Sequence, residues 1–164
     1  MSQYPISLYS EIAPNLFMGG TADEDVIHQA APHNKARTDL PFDAIITMYA
    51  WANPADWKVQ EFRYGIYDSA ISEIDLDRLK QAVEFGYNRW LSGDRLLVRC
   101  QAGLNRSGLV TALIMMSTGL DAETAIEQIR KNRGDMALFN NNYVEWLMTK
   151  GASFLASSSL QEIA

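Results

Sequence analysis

Leu96-Leu-Val-Arg-Cys100-Gln-Ala-Gly-Leu-Asn-Arg106-Ser-Gly-Leu-Val-Thr-Ala-Leu-Ile-Met-Met116 is the stretch that decides how this chain folds. Arg95 to Arg99 reads as an apolar strand and Leu109 to Thr118 as an apolar helix. The chain's only cysteine stands at their junction, and Arg106 sits at the first turn of the helix. At such a junction the backbone N–H groups of loop and helix N-terminus converge on one point and can hold an oxyanion. The same field is expected to depress the thiol pKa and supply a nucleophilic thiolate. Arg106 offers a planar fork of donors to two phosphoryl oxygens. Gly103 allows the backbone conformation of a tight cradle, and Ser107 places a hydroxyl beside a departing thiolate. Taken alone, Cys100 is a small buried hydrophobe at a strand end. Gly103, Ser107 and the strand–loop–helix context favour phosphate binding or catalysis.

The flanking sequence supplies a sheet for this strand to join. Leu8 to Ile12 and Leu16 to Met18 read as short strands closed by a Gly19-Gly20 turn, and Asp23 to Ala31 as a weak helix ended by Pro32. Phe42 to Tyr49 and Val59 to Tyr67 are stronger strands, the second reaching Asp68. Ser72-Glu-Ile-Asp75 resembles a capping box opening a helix to about Leu91, with Leu76, Leu79, Val83 and Trp90 on one face. Helices follow at about 106–118, 121–133 and 140–150. Gly119, Gly134 and Gly151 stand at their ends, with Asp121 and Asn140 as N-caps. Strands alternating with helices predict an α/β fold, a central mixed sheet of about five strands flanked by helices on both faces. Sites in such folds lie beyond the C-terminal ends of strands, so Cys100 and Asp68 are expected to face one cleft.

The 164 residues suit a single domain spanning 1–164, with a frayed tail expected from about 152, where Ala156 to Ser159 form a serine-rich run. A net charge of −6 argues against a general nucleic-acid or anionic-membrane binder. One cysteine permits no intrachain disulfide and suggests a reducing compartment. Met1-Ser-Gln-Tyr-Pro5 lacks the regions of a signal peptide, and the apolar run Gly108 to Met116 is too short for a bilayer. The expectation is a cytoplasmic protein without a membrane span.

Leu97-Val-Arg-Cys100-Gln-Ala-Gly-Leu-Asn-Arg106-Ser-Gly108 resembles the signature of the cysteine-based protein tyrosine phosphatases, most closely their dual-specificity group. Ile12 to Gly20, Tyr64 to Ser69, Ala125 to Arg133 and Asn140 to Leu147 resemble that group's N-terminal, acid-bearing and closing segments. The resemblance implies a phosphotyrosine-phosphatase-like fold and hydrolysis of phosphoproteins, on phosphotyrosine as well as phosphoserine or phosphothreonine. It assigns Cys100 as nucleophile, Asp68 as general acid and base, Arg106 as oxyanion clamp and Ser107 as helper of thiolate departure. Gln101, Ala102, Gly103, Leu104 and Asn105 are the loop residues that would bind the phosphoryl group. No cofactor and no metal are implied; His28 and His33, in a polar region, read as solvated. Phosphorylated protein or peptide is the expected partner, with no nucleic acid and no membrane.

Several readings compete. Glu73, Asp75 and Asp77 are rivals of Asp68, although the N-terminus of the following helix explains Asp75 and Asp77 better. Arg99 occupies the place where the family usually has histidine. It reads either as a strand-end residue reaching solvent or as a permanent cation that tunes the thiolate. The loop carries no lysine, unlike phosphoinositide-directed relatives, whereas Asn105 matches an asparagine seen in RNA-triphosphatase relatives. Trp51 and Trp57 are either cleft rim or core. Arg130, Lys131 and Arg133 read as a solvated helix end, with an acidic substrate peptide as the sharper alternative. The alternative functions are a non-catalytic phospho-binding pseudophosphatase and an RNA or nucleotide 5'-phosphatase of the same superfamily. A rhodanese-like sulfurtransferase has a shorter loop, and a low-molecular-weight phosphatase carries its loop near the N-terminus.

Overall fold

A computed structural model describes residues 7–21, 42–55 and 58–163. Five strands form one mixed sheet in the order β1-β2-β5-β3-β4: β1 Tyr9–Ala13, β2 Leu16–Gly19, β3 Ala44–Thr47, β4 Gln60–Arg63 and β5 Leu96–Arg99. β1 and β2 are an antiparallel hairpin, and the other pairings are parallel. Its turn falls at Pro14 and Asn15, the latter with φ of 66°, so Gly19 lies within β2 and does not close it. β5 is the central strand, between β2 and β3, and all four of its residues are buried. The chain leaves the C-terminal end of this strand straight into the cysteine loop and the α-helix that follows, the end of a parallel strand at which sites in such sheets form.

Alternation along the strands sorts their side chains onto two faces. Met18, Ile46 and Val98 join the main core, whereas Ile45 and Leu97 form a second cluster with Phe42, on which Tyr9 and Phe17 pack. The helices are α1 Leu76–Leu91, α2 Arg106–Met116, α3 Ala122–Arg133, α4 Asn141–Trp146 and α5 Ala152–Ile163. Every residue of α2 after Arg106 is buried. A helix apolar on all sides must be covered on all sides, and α1 and α3 flank it over the sheet. Gly86 of α1 allows the close approach: a Cβ there would meet Ile46 and Ile114 at 2.6 and 2.7 Å. Among the described residues the helices lie against the main-core face. The expected helix at Asp23 to Ala31 lies outside the described residues, as do Trp57, His28 and His33.

Three local readings are corrected. Ser72 lies in a 3-10 turn, Ile71–Glu73, and Asp75 caps α1, its Oδ1 accepting from the N–H groups of Asp77 and Arg78 at 3.0 and 3.3 Å. Leu76, placed on the buried face by periodicity, is 40% exposed, whereas Leu79 and Val83 of the same stripe are buried in the core. Gly151 ends nothing. It belongs to a π-type turn, Leu147–Gly151, and the chain continues as α5 where fraying was expected. Lys80 donates to Phe154 O across 2.6 Å, and Trp146 meets Phe154 edge to face, which holds that helix on the body. Asp121 and Asn140 cap α3 and α4, and Gly134 with φ of 125° ends α3. Among the described residues no helix is long and apolar enough to cross a membrane.

Candidate active site

Cys100 leaves the end of β5 buried, and its Sγ donates to Ser107 Oγ across 3.3 Å, from the first turn of α2. The intervening loop turns its carbonyls outward one by one. Gln101 O accepts from Thr21 N at 3.0 Å, Gly103 O from Arg133 Nε at 3.0 Å, Leu104 O from Leu138 N at 3.0 Å and Asn105 O from Leu109 N at 2.8 Å. The N–H groups of Gln101 to Asn105 donate to no acceptor among the described residues. A peptide chain with its acceptors satisfied outside and its donors left over is a nest for an anion. Gly103 has φ of +74°, and a Cβ there would lie 2.4 Å from the backbone of Gly19. No other residue fits that position without shifting the hairpin.

Arg106 is half-buried at the loop's far end. Its Nη1 donates to Ile66 O at 3.0 Å, its guanidinium lies 5.4 Å from the Tyr49 ring centre, and its buried Nε has no partner among the described residues. The segment that begins at Ile66 carries Asp68. Asp68 Oδ2 accepts from Asn105 Nδ2 at 2.8 Å and Oδ1 from Asn140 Nδ2 at 2.7 Å. Asn140 also donates to Ser69 O at 2.9 Å through Nδ2 and to Asn105 Oδ1 at 2.9 Å through its N–H. Tyr143 donates its hydroxyl to Tyr67 O at 2.9 Å. Burial and then the Asp68 charge push the Tyr143 phenol far up, so it serves as a neutral donor. Of the rival carboxylates, Asp75 caps α1 and Glu73 accepts from the Ser69 hydroxyl. The structure thus brings Asp68 to the cysteine loop and assigns those two elsewhere.

Behind the loop the arginines behave otherwise. Arg99 is fully buried on the second sheet face, so the solvent reading is overturned. It donates to Thr47 Oγ1 at 3.0 Å, Asn53 O at 2.7 Å and Glu61 Oε2 at 3.2 Å. Glu61 also accepts from the Thr47 hydroxyl, the Ala55 N–H and Arg63. Burial pushes the Glu61 carboxyl up, but Thr47, Ala55 and the two guanidiniums outweigh it and hold it below its ordinary value. Arg63 donates further to Ala52 O at 2.7 Å, so two arginines pin the 50–53 segment. That segment carries Trp51 at 67% exposure, on the surface rather than in the core.

Arg133 corrects the reading of a solvated helix end. It is 4% exposed, donates to Ser7 O at 2.8 Å, to Ser10 Oγ at 3.0 Å and to Gly103 O, and so ties α3 and β1 to the loop. Burial lowers its pKa, with Cys100 opposing the shift. Arg130 likewise turns inward, onto Ala137 O and Leu138 O at 3.0 and 2.9 Å. Sequence reasoning missed Arg133 and the pairing of Asn105 with Asp68. A buried arginine and a solvated one look alike in sequence when their partners are backbone carbonyls.

A mixed sheet with a cysteine–arginine anion loop at the C-terminal end of its central strand is the architecture of the cysteine-based phosphatase superfamily. Within it, the chain belongs to the dual specificity phosphatases, whose catalytic-domain family matches residues 28–153. No curated protein matches it in sequence. Among solved structures it resembles a mouse putative dual specificity phosphatase complexed with zinc tungstate, at 20% identity and a TM-score of 0.72, covering 98% of this chain and 96% of that one. Human DUSP28 is similar at 19% identity and a TM-score of 0.71, over 96% and 99% of the two chains. PTPMT1 in complex with PI(5)P matches at 20% identity and a TM-score of 0.70, over 93% and 99%.

Proposed function

We propose that this protein is a cysteine-dependent phosphomonoester hydrolase acting on phosphoproteins. The observation that carries the proposal is the loop itself: buried Cys100 against Ser107, with the loop carbonyls turned outward and its amides left as donors. The Cys100 thiolate attacks phosphorus in line, the bond to the substrate oxygen breaks, and protonated Asp68 gives its proton to that oxygen. The loop amides and Arg106 hold the equatorial oxygens as charge builds on them. In the second step the Asp68 carboxylate takes a proton from water, the water oxygen bonds to phosphorus and the sulfur–phosphorus bond breaks. The Ser107 hydroxyl donates to the departing thiolate, and inorganic phosphate leaves.

Exposed Trp51, Tyr67 and Phe139 lie in sequence next to or two residues from Tyr49, Asp68 and Asn140, where they would supply an aromatic rim to a substrate at the loop. Such a rim suits aryl phosphates such as phosphotyrosine. The uncharged loop interior speaks against inositol lipids, although PTPMT1 was solved with PI(5)P. The net charge of −6 speaks against an RNA-directed reading, to which Asn105 alone pointed. A phospho-binding module without turnover is the second reading, motivated by Arg99, which stands where the family usually has histidine and donates to Thr47, Asn53 and Glu61. Hydrolysis of 4-nitrophenyl phosphate and of a phosphotyrosine peptide, with EDTA present, tests the proposal. Release of phosphate that vanishes in Cys100→Ser is expected. Phosphopeptide binding without release establishes the second reading instead.

A further inference from the structure

Asn105 directly precedes Arg106, is 3% exposed, and spends neither end of its side chain on the cleft. Its Nδ2 donates to Asp68 Oδ2 and its Oδ1 accepts from Asn140 N, which in turn brings Asn140 Nδ2 onto Asp68 Oδ1. The two carboxylate oxygens are therefore held by two different amides, one from the loop and one from the cap of α4. The neighbouring residues are fixed as well: Ile66 O by Arg106, Tyr67 O by Tyr143 and Ser69 O by Asn140. Four consecutive residues are each tied to the loop or to α4. An ordinary acid-bearing segment at a strand end has no need of this many bonds, since its backbone is free to meet water.

We infer that Asn105 is a positioning residue that locks the Asp68 carboxyl to the cysteine loop, so that the proton donor is set before substrate binds. This rests on the phosphatase reading above. Each carboxylate oxygen retains a second lone-pair direction beside the amide it accepts from, and one of these carries the proton that passes to the leaving oxygen. Removing the amide frees the carboxyl to rotate about its side-chain torsions and lowers the fraction of time it faces that oxygen. The cost falls where the proton matters most, on esters whose alkoxide or phenoxide is a poor leaving group.

The experiment compares single-turnover rates on 4-nitrophenyl phosphate, whose phenoxide leaves readily, and on phenyl phosphate, whose phenoxide needs the proton. Asp68→Asn sets the full bias, an extra loss on the phenyl ester on the order of 10²-fold. Asn105→Ala is expected to move the ratio in the same direction by roughly tenfold. The Asp68→Asn/Asn105→Ala double variant is expected to show no further bias, because the second change acts only through the first. A general weakening of the fold slows both esters alike and leaves the ratio at the wild-type value. Melting curves accompany each variant, and Asn105→Ser, which is smaller and keeps a hydroxyl near Asn140 N, is read in the same way if Asn105→Ala fails to fold. An unchanged ratio in a folded Asn105 variant, or a double variant whose biases multiply, overturns the inference and leaves the phosphatase reading standing. Absence of turnover on both esters by the wild-type protein overturns the phosphatase reading, and with it the inference.

Discussion

Arg99 and Arg106 flank the same loop and are used in opposite ways. Arg99, behind it, is fully buried and donates to a hydroxyl, a carbonyl and a carboxylate. Arg106, in front, makes one bond to Ile66 O and keeps a buried Nε without a partner among the described residues. A guanidinium that donates to three protein acceptors builds structure; one that gives a single bond among the described residues, beside an anion nest, is placed for a ligand. The difference lies in the acceptors around each side chain, not in the residue type. The same contrast separates the two carboxylates. Glu61 is held from behind by two guanidiniums, a hydroxyl and a backbone N–H, and Asp68 from the front by the neutral amides of Asn105 and Asn140.

That contrast is breakable by substitution. The largest effect is expected in front. Cys100→Ser should abolish release of phosphate from 4-nitrophenyl phosphate while leaving the melting temperature unchanged within a few degrees, and Arg106→Lys should cut kcat/KM by roughly 10²-fold or more, measured on the same ester. A charge-conserving lysine that retained full rate would show that the planar fork is not used. Behind the loop the effect should appear in stability. Glu61→Gln removes a carboxylate that pairs with the buried Arg99 and is expected to cost about 3–5 kcal/mol by urea unfolding, with the activity of the folded fraction largely kept.

Acid should separate the two sides in the same way. Glu61 is held below its ordinary value of 4.5, so its contribution to stability is full above that value and is lost as pH falls below it. Wild-type stability should therefore drop below about pH 4.5 more steeply than that of Glu61→Gln, as read from unfolding midpoints against pH. The smallest effect belongs to the rim. Trp51→Ala is expected to raise KM for a phosphotyrosine peptide by roughly 3- to 10-fold, with little change for phenyl phosphate and none in stability. Equal effects on both substrates would place Trp51 in the support of the loop instead of at its mouth.

Much of the front was legible because it is local. Cys100, Gly103, Arg106 and Ser107 fall within eight residues, and the strand before them and the helix after them are apolar by any measure. The same stretch predicted the central strand and the buried helix that the structure contains. The back was illegible because its partners are distant. Arg99 meets Thr47 and Glu61 across sequence separations of 52 and 38 residues, and a strand-end arginine looks solvated until those neighbours are known. Gly151 misled for a related reason. Glycine reads as a helix end, but here its missing side chain makes room for Met116, whose Cε would lie 3.0 Å from a Cβ. The serine-rich tail was read from composition alone; the chain is helical over Ala152–Ile163, and Lys80 and Trp146 meet Phe154 at its start.

Arg133 also sets an order of events. The carbonyl of Gly103 is held by an arginine that follows it by 30 residues and that is anchored in turn on Ser7 and Ser10. When the chain is made from its N-terminus, the cysteine loop is synthesised before the residue that fixes its shape. Strand β5 can pair with β2 and β3 in that interval, yet Gly103 O still lacks its native donor. The nest's native anchorage therefore requires α3, and a chain truncated within α3 would carry the whole signature without it.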